Sequence, residues 1–177
     1  MSRDAGLSLT ELVFTVGLAS IILALALPAL EQTVRVNRLV AEANKLVRAV
    51  HLAKNEAAKH YREVVICPSF DGSACANDKT AWQQGWLVFV NLDKDRPARV
   101  GENEPILLAH RVLPHVEVSA NRTNFAFHHY ARRSTNGTIV FCSAQKKALA
   151  KAVIVSYTGR PRVASTRTDG QPYRCEH

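Results

Sequence analysis

Several groups of residues in this chain have types and spacings that could do chemistry. The densest is Tyr157-Thr158-Gly159-Arg160-Pro161-Arg162. A glycine there permits a tight turn and close backbone approach. A proline stiffens the loop, and the two flanking arginines then form a pre-organised fork. Guanidinium groups suit bidentate contact with phosphate better than lysine does. Arg122, Arg132, Arg133, Lys146, Lys147, Lys151, Arg167 and Arg174 add positive charge around this loop. Thr166, Thr168 and nearby backbone amides could add neutral phosphate contacts. His128, His129 and Tyr130 could stack on bases, although adjacent residues at a strand end more commonly pack.

Cys67, Cys75, Cys142 and Cys175 form a second group. An even cysteine count in an exported domain suggests disulfides. Of the possible pairings we favour Cys67–Cys75, closing a short Pro/Gly/Asp loop, and Cys142–Cys175, tying the C-terminal tail to a strand. A zinc site using His128 or His129 is the rival, but no CxxC spacing supports it. There is no HExxH, no nucleophile-base arrangement and no paired carboxylate. The expectation is therefore a non-enzyme with no cofactor and no metal. Asn91-Leu92-Asp93-Lys94-Asp95 lacks the acidic spacing of a calcium loop and is expected to be a plain turn. One further residue stands out by its surroundings. Glu11 puts a carboxylate inside the start of an apolar run, where a charge is costly and implies a function.

The elements that position these groups follow from composition. The chain has 177 residues, 23 Lys+Arg and 15 Asp+Glu, for a net charge of +8. Its 47% hydrophobic and 21% charged content excludes wholesale disorder. A basic balance suits nucleic acid, acidic polymers or anionic membranes. Residues 121–177 carry ten Lys+Arg against Asp169 and Glu176, so this stretch alone accounts for the +8. The rest of the chain sums to zero.

From Leu12 to Leu30 no residue is charged. As a helix this run spans roughly 28 Å, close to the bilayer core. A cleavable secretory signal fits poorly, because Pro28-Ala29-Leu30-Glu31 offers no convincing cleavage site. Beyond it, apolar residues recur at Val36, Leu39, Val40, Ala43, Leu46, Val47, Val50, Ala53, Ala57 and Tyr61. This is a one-sided helical stripe, with Glu31/Arg35 and Arg38/Glu42 paired on the other face. One helix is predicted from about Leu7 to Tyr61. The period then changes. Short β-rich runs are predicted at 64–67, 85–90, 105–109, 116–118, 125–127, 137–142 and 152–156, with Asn136-Gly137 a hairpin signal. The fold class is α+β, one long helix packed on antiparallel sheets.

Gly6-Leu7-Ser8-Leu9-Thr10-Glu11 and the apolar run after it resemble the leader of type IV prepilins and pseudopilins. The resemblance implies that a prepilin peptidase cuts after Gly6. Leu7 would become the methylated first residue, in place of the usual Phe. Glu11 would become the fifth, pairing with the N-terminal amine of a neighbouring pilin subunit. Pro28 falls where pilins often bend their helix. The implied organisation is a leader at 1–6, a transmembrane segment at 7–30, a soluble helical half at 31–63 and a β-rich head at 64–177. The head would lie in the periplasm, held by a single pass through the inner membrane, and later in an extracellular pilus. The flanking charges oppose this orientation, since Arg35, Arg38 and Lys45 follow the span and only Arg3 precedes it. The resemblance and the cysteines outweigh them.

The order of helix, sheets, Asn-Gly hairpin and late Gly-Arg hairpin is similar to FimT/GspH-type minor pilins. Gly159, Arg160 and Arg162 match the G-R-x-R motif by which one branch of that family binds DNA during natural transformation. The implied partner is double-stranded DNA, contacted through its phosphates. Lys146, Lys147, Lys151, Arg132, Arg133, Arg167 and Arg174 join that expectation by charge alone. A purely structural minor pilin and a type II secretion pseudopilin of the GspH type are the alternatives.

Overall fold

The computed structural model describes residues 8–129, 133–145 and 149–175, the side chain of Ala29 apart. Gly6, Leu7, Tyr130, Arg132, Lys146 and Lys147 lie outside these. The chain forms two compact units, Met1–Asn37 and Arg38–His177, and the boundary falls inside one helix.

That helix, α1, runs over Leu9–His60 with Pro28 inside it. Ser8 starts it, its Oγ accepting a hydrogen bond from the Glu11 backbone N–H at 3.2 Å. The N-terminal part is long and apolar enough to cross a membrane. Its leucines, isoleucines and valines are exposed in the chain alone. The helix ends where Tyr61 takes a positive φ of 53°.

Among its described residues the second unit has eight strands: β1 Glu63–Pro68, β2 Gly85–Asn91, β3 Ile106–Arg111, β4 Val116–Ala120, β5 Phe125–Phe127, β6 Gly137–Ser143, β7 Ala150–Val155 and β8 Pro161–Ala164. They form two antiparallel sheets, ordered β3-β2-β1-β5 and β4-β6-β7-β8. Both sheets turn alternate residues onto the second part of α1, as a period-2 strand must. Val64 and Ile66, Trp86 and Val88, Phe125 and Phe127, Ile139 and Phe141, and Val153 and Val155 meet Leu39, Ala43, Leu46, Ala49, Val50, Ala53 and Ala57 in one core.

The structure corrects the expected stripe. Val40 is on the rim, Ala49 takes a core place, and Tyr61 is 74% exposed beyond the helix. Glu31 pairs with Arg35 at 2.9 Å. Glu42 does not face solvent beside Arg38. It is fully buried, 3.0 Å from Lys45 Nζ and 2.8 Å from His110 Nε2 of β3. The strands at 64–67, 85–90, 105–109, 116–118, 125–127, 137–142 and 152–156 are all present within a few residues. The 3-10 helix at Lys79–Gln83 was not expected, and β8, absent from the predicted runs, is the second arm of the late Gly-Arg hairpin.

Candidate nucleic-acid interface

The Gly-Arg-Pro-Arg segment is half turn and half strand. Gly159 sits in the β7–β8 turn with φ +69°, and a Cβ there would lie 3.0 Å from Ser134 Oγ and 3.3 Å from Phe127 Cδ1. Glycine is therefore required twice over, by backbone conformation and by close approach. The turn is closed by the Gly159 N–H donating to Ser156 O at 2.9 Å, and by the Arg160 N–H donating to Ser156 Oγ at 3.2 Å. Arg160 projects from this turn and is exposed. Arg133 lies beside the same turn, its guanidinium 5.7 Å from the Tyr157 ring.

Pro161 begins β8, an edge strand, where a missing N–H costs least. Arg162 is thus a strand residue rather than part of a free loop. It pairs with Ile154, while Ala164 pairs with Ala152. Directly opposed residues share a face. Ala152 belongs to a small outer cluster with Val140, Cys142 and Cys175. Arg162 therefore lies on the outer face of the second sheet, away from α1.

The C-terminal tail covers part of that face. Cys142 and Cys175 are joined, with Cα atoms 6.0 Å apart, and Tyr173 packs on the same cluster. A short hairpin precedes it, with a bridge between Thr166 and Pro172 and the Arg167 N–H donating to Gln171 O at 2.7 Å. The Arg167 guanidinium stands 5.7 Å over the Tyr173 ring. Between tail and sheet lies a groove of about 370 Å³, lined by Ser119, Asn121, Thr138, Arg167, Tyr173 and Arg174 among others.

Lys151 is the second residue of β7, at the far end from Gly159, and its Nζ donates to Ser165 Oγ at 2.7 Å. Apart from Lys151 and Arg122, the described basic residues of the last third fall into two groups. Arg133 and Arg160 gather at the turn around Gly159, while Arg162, Arg167 and Arg174 share the outer face. Arg122 is occupied locally, its Nε donating to Asn136 O at 3.1 Å. Each histidine beside Tyr130 already has a partner. His128 Nδ1 lies 3.3 Å from buried Glu63, and the His129 ring packs 5.5 Å from Tyr61. Sequence reasoning missed Ser119, Asn121 and Thr138, which the β4–β6 pairing brings together, and Tyr173, which the tail carries to them.

Cys67 and Cys75 are also joined, with Cα atoms 5.6 Å apart. Near that loop a cavity of about 460 Å³ is lined by Asp71, His110 and Arg111 among others. The Ser73 hydroxyl and backbone N–H hold the Asp71 carboxyl down to about 2. It stays anionic and would repel a phosphate, so this cavity is a poorer candidate. Among the described residues no group of His, Cys, Asp and Glu could hold a metal ion.

Comparison with known proteins accords with this architecture. The family model described as "Type II transport protein GspH" matches residues 42–159. Two crystal structures of the type IV minor pilin FimU from Pseudomonas aeruginosa are similar in fold. One is 18% identical, with a TM-score of 0.55 over 79% of this chain and 96% of that one. The other is 17% identical, with a TM-score of 0.55 over 78% of this chain and 100% of that one. No curated protein matches in sequence.

Proposed function

The chain belongs to the GspH family, and from that premise we propose that it is a minor pilin that binds double-stranded DNA and takes part in DNA uptake. In this reading it is made in the inner membrane, processed by a prepilin peptidase, and assembled with other pilin subunits into an extracellular type IV pilus. It has no catalytic role. Arg160 and Arg162 contact the phosphate backbone, and the remaining basic residues of the last third support them.

The observation that carries the reading is the placement of charge. The whole net +8 comes from residues 121–177, and of the six described arginines of that stretch all but Arg122 lie at one turn or on one sheet face. Backbone binding of this kind carries no base code and is strongly salt-dependent. The test is a titration of the full chain, in an uncharged detergent, with labelled duplex DNA over a range of salt. Each phosphate contact contributes about 0.9 to the log–log salt slope. Arg160→Gln with Arg162→Gln should lower that slope by about 2. An unchanged slope would remove this motif from the interface.

A role in type II secretion is the second reading, favoured by the description of the matching family. It expects a chain that ignores DNA and associates with other pseudopilins.

A further inference from the structure

One row of directly opposed residues crosses the second sheet as Thr138, Ile154 and Arg162. With about 4.8 Å between strands, the Arg162 Cα lies about 10 Å from that of Thr138. Thr138 also lines the groove, together with Ser119, Asn121, Arg167 and Arg174. Arg162 and the groove are therefore neighbours on one surface. The Arg160 turn marks the end of that surface.

We propose that this groove is a second phosphate-binding subsite, so that duplex DNA lies across the strands of the outer face from β8 to the disulfide-held tail. The inference rests on the DNA-binding reading and assigns it a direction and a second anchor. The chemistry of the lining supports a phosphate. Two arginines and three residues with hydroxyl or amide side chains line it, a donor set suited to anionic oxygens. Asp169 is the only carboxylate between residue 121 and the end of the described chain. It is turned to its own hairpin, accepting from the Gln171 N–H at 2.9 Å.

Each strand of duplex DNA carries a charge about every 3.4 Å of axis, so a duplex lying along the ~10 Å from Arg162 to Thr138 brings roughly three phosphates of one strand past this face. The same observations explain why the tail is bonded to the sheet. Arg167, Tyr173 and Arg174 belong to the tail, and the Cys142–Cys175 bond fixes its end over the β6 strand. Tyr173 in turn sets the height of Arg167.

The test uses the full chain in uncharged detergent and a short labelled duplex, with the salt slope as the readout. Arg167→Gln with Arg174→Gln should lower the slope by about 2 and leave the part due to Arg160 and Arg162. The control is Lys79→Gln with Arg99→Gln, which removes the same charge from exposed sites outside the second sheet. It should change the slope little. Cys142→Ala with Cys175→Ala should reproduce the loss while every arginine remains. If the cysteine variant does not fold, the arginine pair alone decides. A slope unchanged by the arginine pair, or lowered equally by the control pair, overturns the subsite. If the unaltered chain shows no salt-dependent binding, the DNA reading itself fails, an outcome distinct from failure of the groove alone.

Discussion

A single glycine decides whether the arginine turn can exist. Gly159 combines φ +69° with neighbours at 3.0 and 3.3 Å, whereas Gly170 in the tail has φ +81° and nothing within 4 Å. An L-residue in this backbone region costs about 1–3 kcal/mol. Gly170→Ala should show that backbone cost alone. Gly159→Ala should lose more, because its methyl also presses on Ser134 and Phe127. Urea unfolding of the two variants reads the difference, and equal losses would show that crowding at Gly159 contributes nothing. The sequence announced this turn but not its crowding. Ser134 and Phe127 lie far from Gly159 along the chain, and no local pattern reveals that they approach it. The same limit applies to Tyr173, which looks like an ordinary tail residue until it is seen beneath Arg167.

At the scale of elements, the helix and the buried strands were legible because burial imposes a period. β8 was legible only as the far arm of the Gly-Arg hairpin, since an edge strand buries little. Its Arg162 and Val163 are both exposed, so it carries no alternation, and Pro161 suggested a loop. Glu42 was misjudged for a related reason. A charge on a helix is normally at the surface, yet this one faces the core, where His110 of β3 and Lys45 receive it. Burial by itself would raise the Glu42 carboxyl, but hydrogen bonds from His110 and Lys45 hold it below the ordinary 4.5. The stability it gives to the packing of α1 on β3 is therefore present above about pH 4.5 and is lost as the pH falls through the lower folded value. Glu42→Gln keeps the shape and removes the titration. The stability gap between the unaltered chain and this variant should be widest near neutral pH and shrink in acid. A gap that stays constant from about pH 6 to about pH 3.5 would refute the linkage.

The whole molecule divides its properties between its ends. The first unit is an apolar helix whose side chains find no cover within the chain, and the second carries the core, both disulfides and the basic surface. Such an apolar surface requires a bilayer or copies of itself. In either setting the Glu11 carboxylate is an expensive charge, and it needs a positive partner. No lysine or arginine occurs between Arg3 and Arg35, so the chain offers little nearby. Cleavage after Gly6 would create one, a new amine at Leu7, which a neighbouring subunit could bring to Glu11. The expected mature protein in membranes therefore begins at Leu7. Intact-mass spectrometry of the membrane fraction checks this directly. A chain still beginning at Met1 would leave Glu11 without its proposed partner and would count against pilin-type assembly. It would not touch the proposed DNA-binding surface, which depends only on residues of the second unit.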